Sequence, residues 1–224
     1  ALEFNHSAYD ETEDQLYNDA YSFPAVYALL TRNLVQKGGP LTEISLEYTR
    51  LIGEEIELEA GYVYEGLRDR IRFHGERFDG QSDRWLSLPG RSNEFEKKKK
   101  IHAVFATLGQ EFEAFSYQAG LRVEQTLVNS ELILPDSTIP NNYFRLYPTL
   151  HLNYELGDNA RLQLSYSRRI NRADSDEQNP FVEYSDPRNG ESGNPKLKPE
   201  QTHALELGLH WQRGPLSFSP VLFY

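Results

Sequence analysis

Apolar and polar residues alternate one by one over long stretches of this chain. The pattern is clear between 161 and 170, where Leu162, Leu164, Tyr166 and Ile170 alternate with Arg161, Gln163, Ser165 and Arg169. The same alternation recurs over 55–65, 145–156 and 202–211. Successive side chains of a strand point to opposite faces, whereas helical spacing would mix the two groups. The sequence therefore predicts an all-β chain whose strands have one apolar and one polar face.

Short and long connections alternate between the predicted strands. The short connections contain glycine, as tight hairpins require, and lie at 52–54, 109–111, 157–159 and 213–215. The long, polar connections lie at 66–97, 129–142 and 171–201. In an up-and-down sheet every second connection is on the same side, and outer-membrane β-barrels have short turns on one side and long loops on the other. We therefore predict an antiparallel up-and-down meander of this type.

Composition argues against several classes of function. The 34 acidic residues outnumber the 23 basic ones and give a net charge of -11, whereas general nucleic-acid binding needs a basic surface. The absence of cysteine excludes a disulfide framework and a thiolate metal site. The six histidines show no H-E-x-x-H spacing, and no glycine-rich phosphate loop occurs. We therefore expect no enzymatic activity, no catalytic residues, no cofactor and no metal site.

The first 41 residues carry the weakest pattern. Residues 2–9 fit the end of a strand, and 9–19 are acidic and loop-like. Apolar spacing in 23–35 fits a period of 3.6 and indicates a candidate short helix within a loop. Residues 42–224 are predicted to form about eight strands. Because the chain starts at Ala1 and contains no methionine, we expect a processed product or a piece of a longer protein.

Two stretches resemble signature segments of one family. The first is FSYQAGLRVEQT at 115–126. The second runs from Leu146 to Trp211 and contains SYSRRINR, NPF, DP and GNPKLKPEQT in this order, followed by a strand with ELG. These segments are similar to those of TonB-dependent receptors, in the branch known as the outer-membrane protein β-barrel family.

The resemblance implies a fold and a function for the parent protein. Such receptors have a 22-stranded barrel with a plug inside it, and they import large nutrients such as metal chelates or glycans with energy from TonB. This sequence has too few strands and neither a plug nor a TonB-interacting segment. Residues 1–224 are therefore expected to be one partial barrel domain, a slice of a large transmembrane outer-membrane β-barrel. The expected partners are outer-membrane lipid, a transported ligand of unknown identity and, through the parent's plug, the TonB system.

A run of four lysines is the first candidate contact site. Lys97, Lys98, Lys99 and Lys100 lead from a predicted long loop into a strand. If this loop is extracellular, the lysines lie at the outer rim of the barrel, at the level of the anionic phosphates of lipopolysaccharide. We name all four as candidate lipopolysaccharide contacts. The alternative is a solvated strand entrance that discourages edge-to-edge pairing.

The longest predicted loop is the second candidate site. Loops over a channel mouth are the first part of a receptor to meet a large ligand. The candidate ligand contacts in this loop are Arg172, Phe181, Tyr184 and Arg188, and the alternative is a self-packed loop. The prolines of GNPKLKPEQT hold that segment extended, and we predict that it leads the chain from the loop into a strand.

Two other functions fit the same strand pattern. A complete small closed barrel, acting as an adhesion or lipid-binding module, would pair its first and last strands, with a ladder between 42–51 and 214–224. A soluble β-sheet ligand-binding domain would bury its apolar faces inside itself. If the chain is a slice, its open edges and apolar faces also predict self-association of the isolated piece.

Overall fold

A computed structural model describes residues 1–21, 27–53, 55–133, 136–186 and 189–224. Nearly all of the described chain is β-structure. The long strands are β1 (Leu2–Tyr21), β2 (Tyr27–Ile52), β3 (Ile56–Asp79), β5 (Asn93–Glu111), β6 (Phe115–Leu132), β8 (Tyr143–Glu155), β9 (Ala160–Asn171) and β12 (Glu200–Arg213). The short strands are β4 (Arg84–Ser87), β7 (Ser137–Pro140), β10 (Glu183–Asp186), β11 (Asn189–Glu191), β13 (Leu216–Phe218) and β14 (Val221–Phe223).

Helical structure is limited to two short elements in these ranges. One is the single turn α1 (Ser175–Gln178), and the other is a 3-10 turn at Pro89–Arg91. No described helix is long and apolar enough to cross a membrane.

The strands form one large antiparallel sheet in the order β1-β2-β3-β5-β6-β8-β9-β12-β13. The short strands β4, β7 and β14 pair with β3, β6 and β12, while β10 and β11 form a separate hairpin. This topology confirms the predicted all-β up-and-down meander. Among the described residues, β2 pairs with β1 and β3 while β14 pairs with β12, so no ladder joins 42–51 to 214–224. The alternative of a small closed barrel is therefore wrong for this chain.

The short turns depend on glycines in left-handed conformations. Gly53, Gly157 and Gly214 have φ angles of 68°, 106° and 57°, which glycine adopts without the steric penalty that a side chain brings. The prediction of a turn at 109–111 is wrong, because the β5–β6 ladder continues to the pair Glu111–Ser116 and the chain turns after it. Glu54, which was part of the predicted turn at 52–54, lies outside the described residues.

The strands extend much further than the sequence predicts. β3 continues to Asp79 and β5 begins at Asn93, so most of the predicted loop at 66–97 is strand. The predicted loop at 129–142 likewise contains the end of β6 and all of β7. The reason is that the apolar residues of β3 change faces, from Leu58 and Tyr62 on the outer face to Ile71 and Phe73 on the inner face, so no single apolar face continues along the strand.

The prediction for the first 41 residues is only partly confirmed, because residues 2–9 are strand as expected but 9–19 are strand and not loop. Residues 2–21 form β1 and 27–41 belong to β2, and the two strands pair from Leu2–Leu46 to Tyr21–Tyr27. The described part of the candidate helix at 23–35 is therefore strand, because pairing along both edges of β2 overrides its local apolar spacing. Residues 22–26 lie outside the described residues.

The sheet has two faces of different character. We call the face that carries Ile71 and Phe73 on β3 the inner face, because the segment 172–199 packs on it. The opposite face, which carries Tyr62 and Tyr64, is the outer face. The outer face holds a continuous band of large exposed apolar residues: Leu46, Val104, Leu121, Leu146, Leu205 and Leu207. An apolar surface of this extent is typical of contact with lipid.

Replacing Gly39 in β2 with alanine is expected to destabilise the sheet. A Cβ at Gly39 would lie 1.7 Å from the backbone carbonyl oxygen of Arg68 on β3. Because the obstacle is backbone, the ladder must shift, and we expect the free energy of unfolding to fall by about 1–3 kcal/mol. Gly80→Ala is the matched control, since nothing lies within 4 Å of a Cβ there. Urea unfolding of the intact protein in lipid measures both variants, and equal losses would contradict this expectation.

Candidate functional site

The segment 172–199, which we call the long loop, folds back over the inner face of the sheet. It leaves β9 at Asn171, contains α1, β10 and β11, and enters β12 at Glu200. Its contacts reach β2, β3, β5 and β6, which lie on the other side of β8 in the sheet. The loop therefore crosses the inner face instead of extending away from the strand ends.

A buried ion pair anchors the start of the long loop. The guanidinium of Arg172 contacts the carboxylate of Glu124 on β6, and its Nε donates to the hydroxyl of Tyr143 at 3.2 Å. Glu124 is only 4% exposed. Glu124 also contacts the guanidinium of Arg122 at 2.7 Å, so two arginines share this buried carboxylate. Arg172 thus has a structural role in the loop.

A second anchor is the ammonium group of Lys97, which donates to the carbonyl oxygen of Ala173 at 2.9 Å. Lys97 lies on the inner face and is buried. Burial, reinforced by the neighbouring ammonium of Lys99, lowers the pKa of Lys97 to about 8. Lys97 therefore cannot contact lipid at the outer surface.

The middle of the long loop packs on β2 and β3. The ring of Phe181 lies 5.7 Å from the ring of Phe73, beside a buried cluster of Val35, Ile71, Phe73 and Phe95. The ammonium of Lys37 contacts the carboxylate of Asp176 at 2.9 Å. The side-chain amide of Asn33 donates to the carbonyl oxygen of Tyr184 at 2.9 Å. One apolar contact and several polar ones therefore hold the loop in position.

The GNPKLKPEQT segment packs against α1. A Cβ on Gly193 would lie 2.2 Å from the carbonyl oxygen of Glu177, so only glycine fits this approach. The backbone N–H of Asn194 donates to that same oxygen at 2.7 Å. The segment leads into β12 as predicted, but it is not extended throughout, because the N–H of Leu197 closes a turn onto the carbonyl of Asn194 at 3.0 Å.

A cavity of about 560 Å³ lies between the long loop and the sheet. Three aromatic rings line it, those of Phe73, Phe181 and Tyr184. Its charged lining consists of Lys37 and five carboxylates, Glu13, Asp176, Glu177, Glu183 and Glu191. Burial chiefly, and the nearby carboxylates of Asp176 and Glu13, raise the pKa of Glu183. No cluster of three or more potential metal ligands occurs among the described residues.

The predicted ligand contacts are only partly brought together. Phe181 and Tyr184 line the cavity, and the guanidinium of Arg91 lies 4.4 Å from the centre of the Tyr184 ring. Arg172 instead belongs to the anchor on Glu124. Arg188 lies outside the described residues. The lining residues on β1 and β2, namely Glu13, Gln15, Val35 and Lys37, were missed because 1–41 gave no strand pairing.

The structure also corrects the predicted lysine site. Because strand side chains alternate, the four lysines divide between the two faces. Lys97 and Lys99 lie on the inner face, where Lys99 contacts the carboxylate of Glu65 at 2.7 Å. Lys98 and Lys100 lie on the outer face. Only these two remain candidates for contact with lipid.

Replacing Arg172 with glutamine is expected to release the start of the long loop. The carboxylate of Glu124 would keep its contact with Arg122 but lose the charged hydrogen bond from Arg172, and we expect a loss of about 1.5–3 kcal/mol in local stability. Limited proteolysis of the intact protein should then cleave within 172–199 faster than in the wild type. Arg169→Gln is the control, because Arg169 is exposed and forms no ion pair with the described residues. Identical cleavage rates in the two variants would contradict the anchoring role.

The contribution of Lys97 to stability is expected to rise with pH. The folded protein lowers its pKa to about 8, whereas lysine in an unfolded chain titrates near 10.4. Between these values the unfolded state binds more protons, so stability rises as pH rises. Relative to Lys97→Met, the wild-type free energy of unfolding should increase by roughly 2–3 kcal/mol between pH 8 and 10.5. Urea titrations at several pH values measure this difference, and a constant difference would contradict it.

Comparison with known proteins identifies the family. The model of the outer membrane protein beta-barrel family matches residues 1–224. No protein with curated annotation matches the sequence. Among solved structures, the unliganded ferric citrate transporter FecA is 14% identical with a TM-score of 0.54, and 99% of this chain aligns with 31% of that chain.

Two further solved structures have the same fold. The copper transporter OprC is 14% identical with a TM-score of 0.59, and 98% of this chain aligns with 35% of that chain. A structure of the FpvAI–pyocin S2 complex is 15% identical with a TM-score of 0.50, and 98% of this chain aligns with 31% of that chain. The chain thus spans about a third of the length of these structures. With its meander of short turns and long connections, the chain belongs to the outer membrane protein beta-barrel family and forms part of a β-barrel in the bacterial outer membrane.

Proposed function

We propose that this chain forms the wall and extracellular loops of a TonB-dependent receptor that imports a large nutrient. The motifs between 115 and 211 support this proposal, as does the fold shared with a ferric citrate transporter and a copper transporter. The observation that carries the proposal is the long loop, which folds over the inner face and borders an open cavity of about 560 Å³. A cavity of this size is within the range of small-molecule binding sites.

The arrangement of the sheet supports an extracellular position for the cavity. In outer-membrane barrels the short turns are periplasmic and the long connections are extracellular. The long loop connects β9 and β12 on the side away from the short turns at Gly53, Gly157 and Gly214. With the apolar outer face against lipid, the inner face lines the lumen. The cavity then lies at the extracellular mouth.

The lining of the cavity favours one kind of ligand. Five carboxylates against one ammonium group create a negative potential, which repels an anionic metal chelate. Carboxylates accept hydrogen bonds from hydroxyl groups, and aromatic rings stack on the apolar faces of sugars. We therefore propose a glycan, or a neutral or cationic chelate, as the transported ligand.

Transport itself belongs to the intact protein. The chain spans about a third of the transporters that it resembles, and the TonB system would act through a plug that these 224 residues do not contain. The proposed partners are therefore outer-membrane lipid around the barrel, the ligand at its mouth and the TonB system at the periplasmic side.

Substitutions in the cavity are expected to weaken ligand binding by the intact protein. Phe181→Ala removes an aromatic contact surface, and we expect affinity for the best-bound member of a panel of oligosaccharides and ferric chelates to fall about tenfold. Glu191→Gln removes one exposed carboxylate from the lining of the cavity and leaves the contacts of Arg172 and Lys97 with the sheet and loop unchanged. The matched controls are Phe218→Ala and Glu206→Gln, at exposed positions outside the cavity. Calorimetric titration measures binding of each compound.

Measurements of ligand uptake by cells distinguish the proposed energy source from the proposed ligand site. If radiolabelled ligand enters cells equally well with and without TonB, the proposed energy source is wrong. If uptake depends on TonB but the cavity variants bind like their controls, the ligand site is wrong while the receptor function stands.

A further inference from the structure

A cluster of basic side chains lies on the outer face, beyond its apolar band. We call this cluster the outer basic patch: Arg68, Arg70 and Arg72 on β3, with Lys98 and Lys100 on β5. The neighbouring carboxylates on the same face are Asp10, Glu94, Glu96 and Glu131. Five cations against four carboxylates leave a local surplus of one positive charge. This surplus is unusual for a chain with a net charge of -11.

The sheet register brings like charges together in the patch. Arg68 lies directly across from Lys98, and like charges at such positions repel each other. One carboxylate, Glu96, contacts Arg68 at 2.8 Å, Arg70 at 2.6 Å and Lys98 at 2.7 Å. Burial acts to raise the pKa of Glu96, but its hydrogen bonds with these three cations outweigh it and lower the pKa to about 2. Arg70 also contacts Glu94 at 3.0 Å and Lys98 also contacts Glu131 at 3.0 Å, whereas Glu96 is the carboxylate partner of Arg68 among the described residues.

The cations of the outer basic patch still offer N–H donors to solvent. The side chains of Arg68 and Arg72 are 51% and 50% exposed. Lys100 is exposed and forms no hydrogen bond or ion pair with the described residues. A planar guanidinium carries five N–H donors, and Arg68 uses only one of its terminal nitrogens on Glu96. The patch therefore can accept a further anion with several oxygen atoms, such as a phosphate.

The position of the patch relative to the membrane indicates the source of that anion. Directly below it on the outer face, the rings of Tyr64 and His102 lie 5.2 Å apart, and the hydroxyl of Tyr62 contacts His102 Nδ1 at 2.8 Å. Aromatic side chains of this kind mark the membrane interface. Lys100 is the next outer-face position after His102, and Arg68 is two such positions beyond Tyr64. At about 3.3 Å per residue these cations lie roughly 7–13 Å beyond the aromatic side chains, at headgroup level.

We propose that the outer basic patch binds the phosphate groups of lipid A, the membrane anchor of lipopolysaccharide, in the outer leaflet. The apolar band below the patch contacts the acyl chains, while Arg68 and Lys100 supply donors to the phosphates. Of the predicted lysine site, the outer basic patch includes Lys98 and Lys100 but not Lys97 and Lys99, and three arginines of β3 complete it. This proposal rests on the location of the chain in the outer membrane and is independent of the proposed transport function.

The test uses the intact protein in detergent micelles, titrated with diphosphorylated lipid A and followed by native mass spectrometry. Removal of two interfacial charges in Arg68→Gln/Lys100→Gln is expected to weaken binding at least about tenfold. The control Arg50→Gln/Lys198→Gln loses the same charge at exposed positions outside the patch and is expected to bind like the wild type. Dephosphorylated lipid A should bind weakly to all three proteins. Heat-dependent gel mobility verifies that each variant is folded.

Two further variants test whether positive charge at these positions is responsible for binding. Arg68→Lys/Lys100→Arg should retain most of the affinity, because charge is preserved. Lys100→Gln alone should also weaken binding, and it removes no hydrogen bond or ion pair within the described part of the chain. The proposal is overturned if the control loses as much affinity as the patch variant, if dephosphorylated lipid A binds equally well, or if an equal concentration of inorganic phosphate displaces the lipid.

Discussion

Continuous backbone pairing is the constraint on which the rest of this structure depends. Within lipid no water can hydrogen-bond to a strand edge, so each wall strand must pair with a neighbour on both sides. The long strands from β2 to β9 meet this condition, and the ladders that join β2, β3, β5 and β6 extend well beyond the 9–11 residues that cross the hydrocarbon. β2 and β3 span 26 and 24 residues. The excess length forms a wall outside the membrane, and this wall supplies the surface on which the long loop packs.

The two faces of β3 exchange character along the strand. Near the short turn the outer face is apolar, with Leu58 and Tyr62, while the inner face carries Glu57 and Glu59. At the far end the outer face carries three arginines, whereas the inner face carries Ile71 and Phe73. The exchange follows from what covers each face. On the outer side, lipid covers the part near the short turn and headgroups cover the far end. On the inner side, the water-filled lumen lies beside the part near the short turn and the long loop covers the far end. The environment therefore changes along the strand while the backbone geometry stays the same.

This exchange explains how far the sequence could predict the fold. Alternation over 55–65 and 202–211 identified the membrane-crossing parts of the strands, because only one face is apolar there. It failed over 66–79, where the apolar side chains change to the inner face, and over 2–21, where both faces are largely polar and only pairing with a distant strand defines the structure. Within the site, Phe181 and Tyr184 were predictable as aromatic residues in a long loop. Lys37 was not, because it reaches the cavity through its position in β2.

The division of the four lysines between the two faces of the sheet is predictable from the sequence alone. Four consecutive residues of a strand cannot all face lipid, so the period-2 rule that identified the strands also separates Lys98 and Lys100 from Lys97 and Lys99. The partners of each pair could not be predicted in the same way, since Ala173 and Glu65 are distant in sequence. Local periodicity thus assigns a residue to a face, and only the register of the whole sheet assigns its partner.

The contacts of the long loop are suited to a segment that must hold one position without being part of the sheet. Its apolar contact is concentrated at Phe181 and Phe73, while Arg172, Lys97 and Lys37 fix its register through charged groups. Buried ion pairs add little net stability compared with apolar packing, but they tolerate few alternative geometries. A loop held in this way has a defined orientation over the cavity. Its displacement would expose the buried cluster on which Phe181 packs and would break the charged contacts, so the apolar and the polar contacts together keep the loop on the inner face.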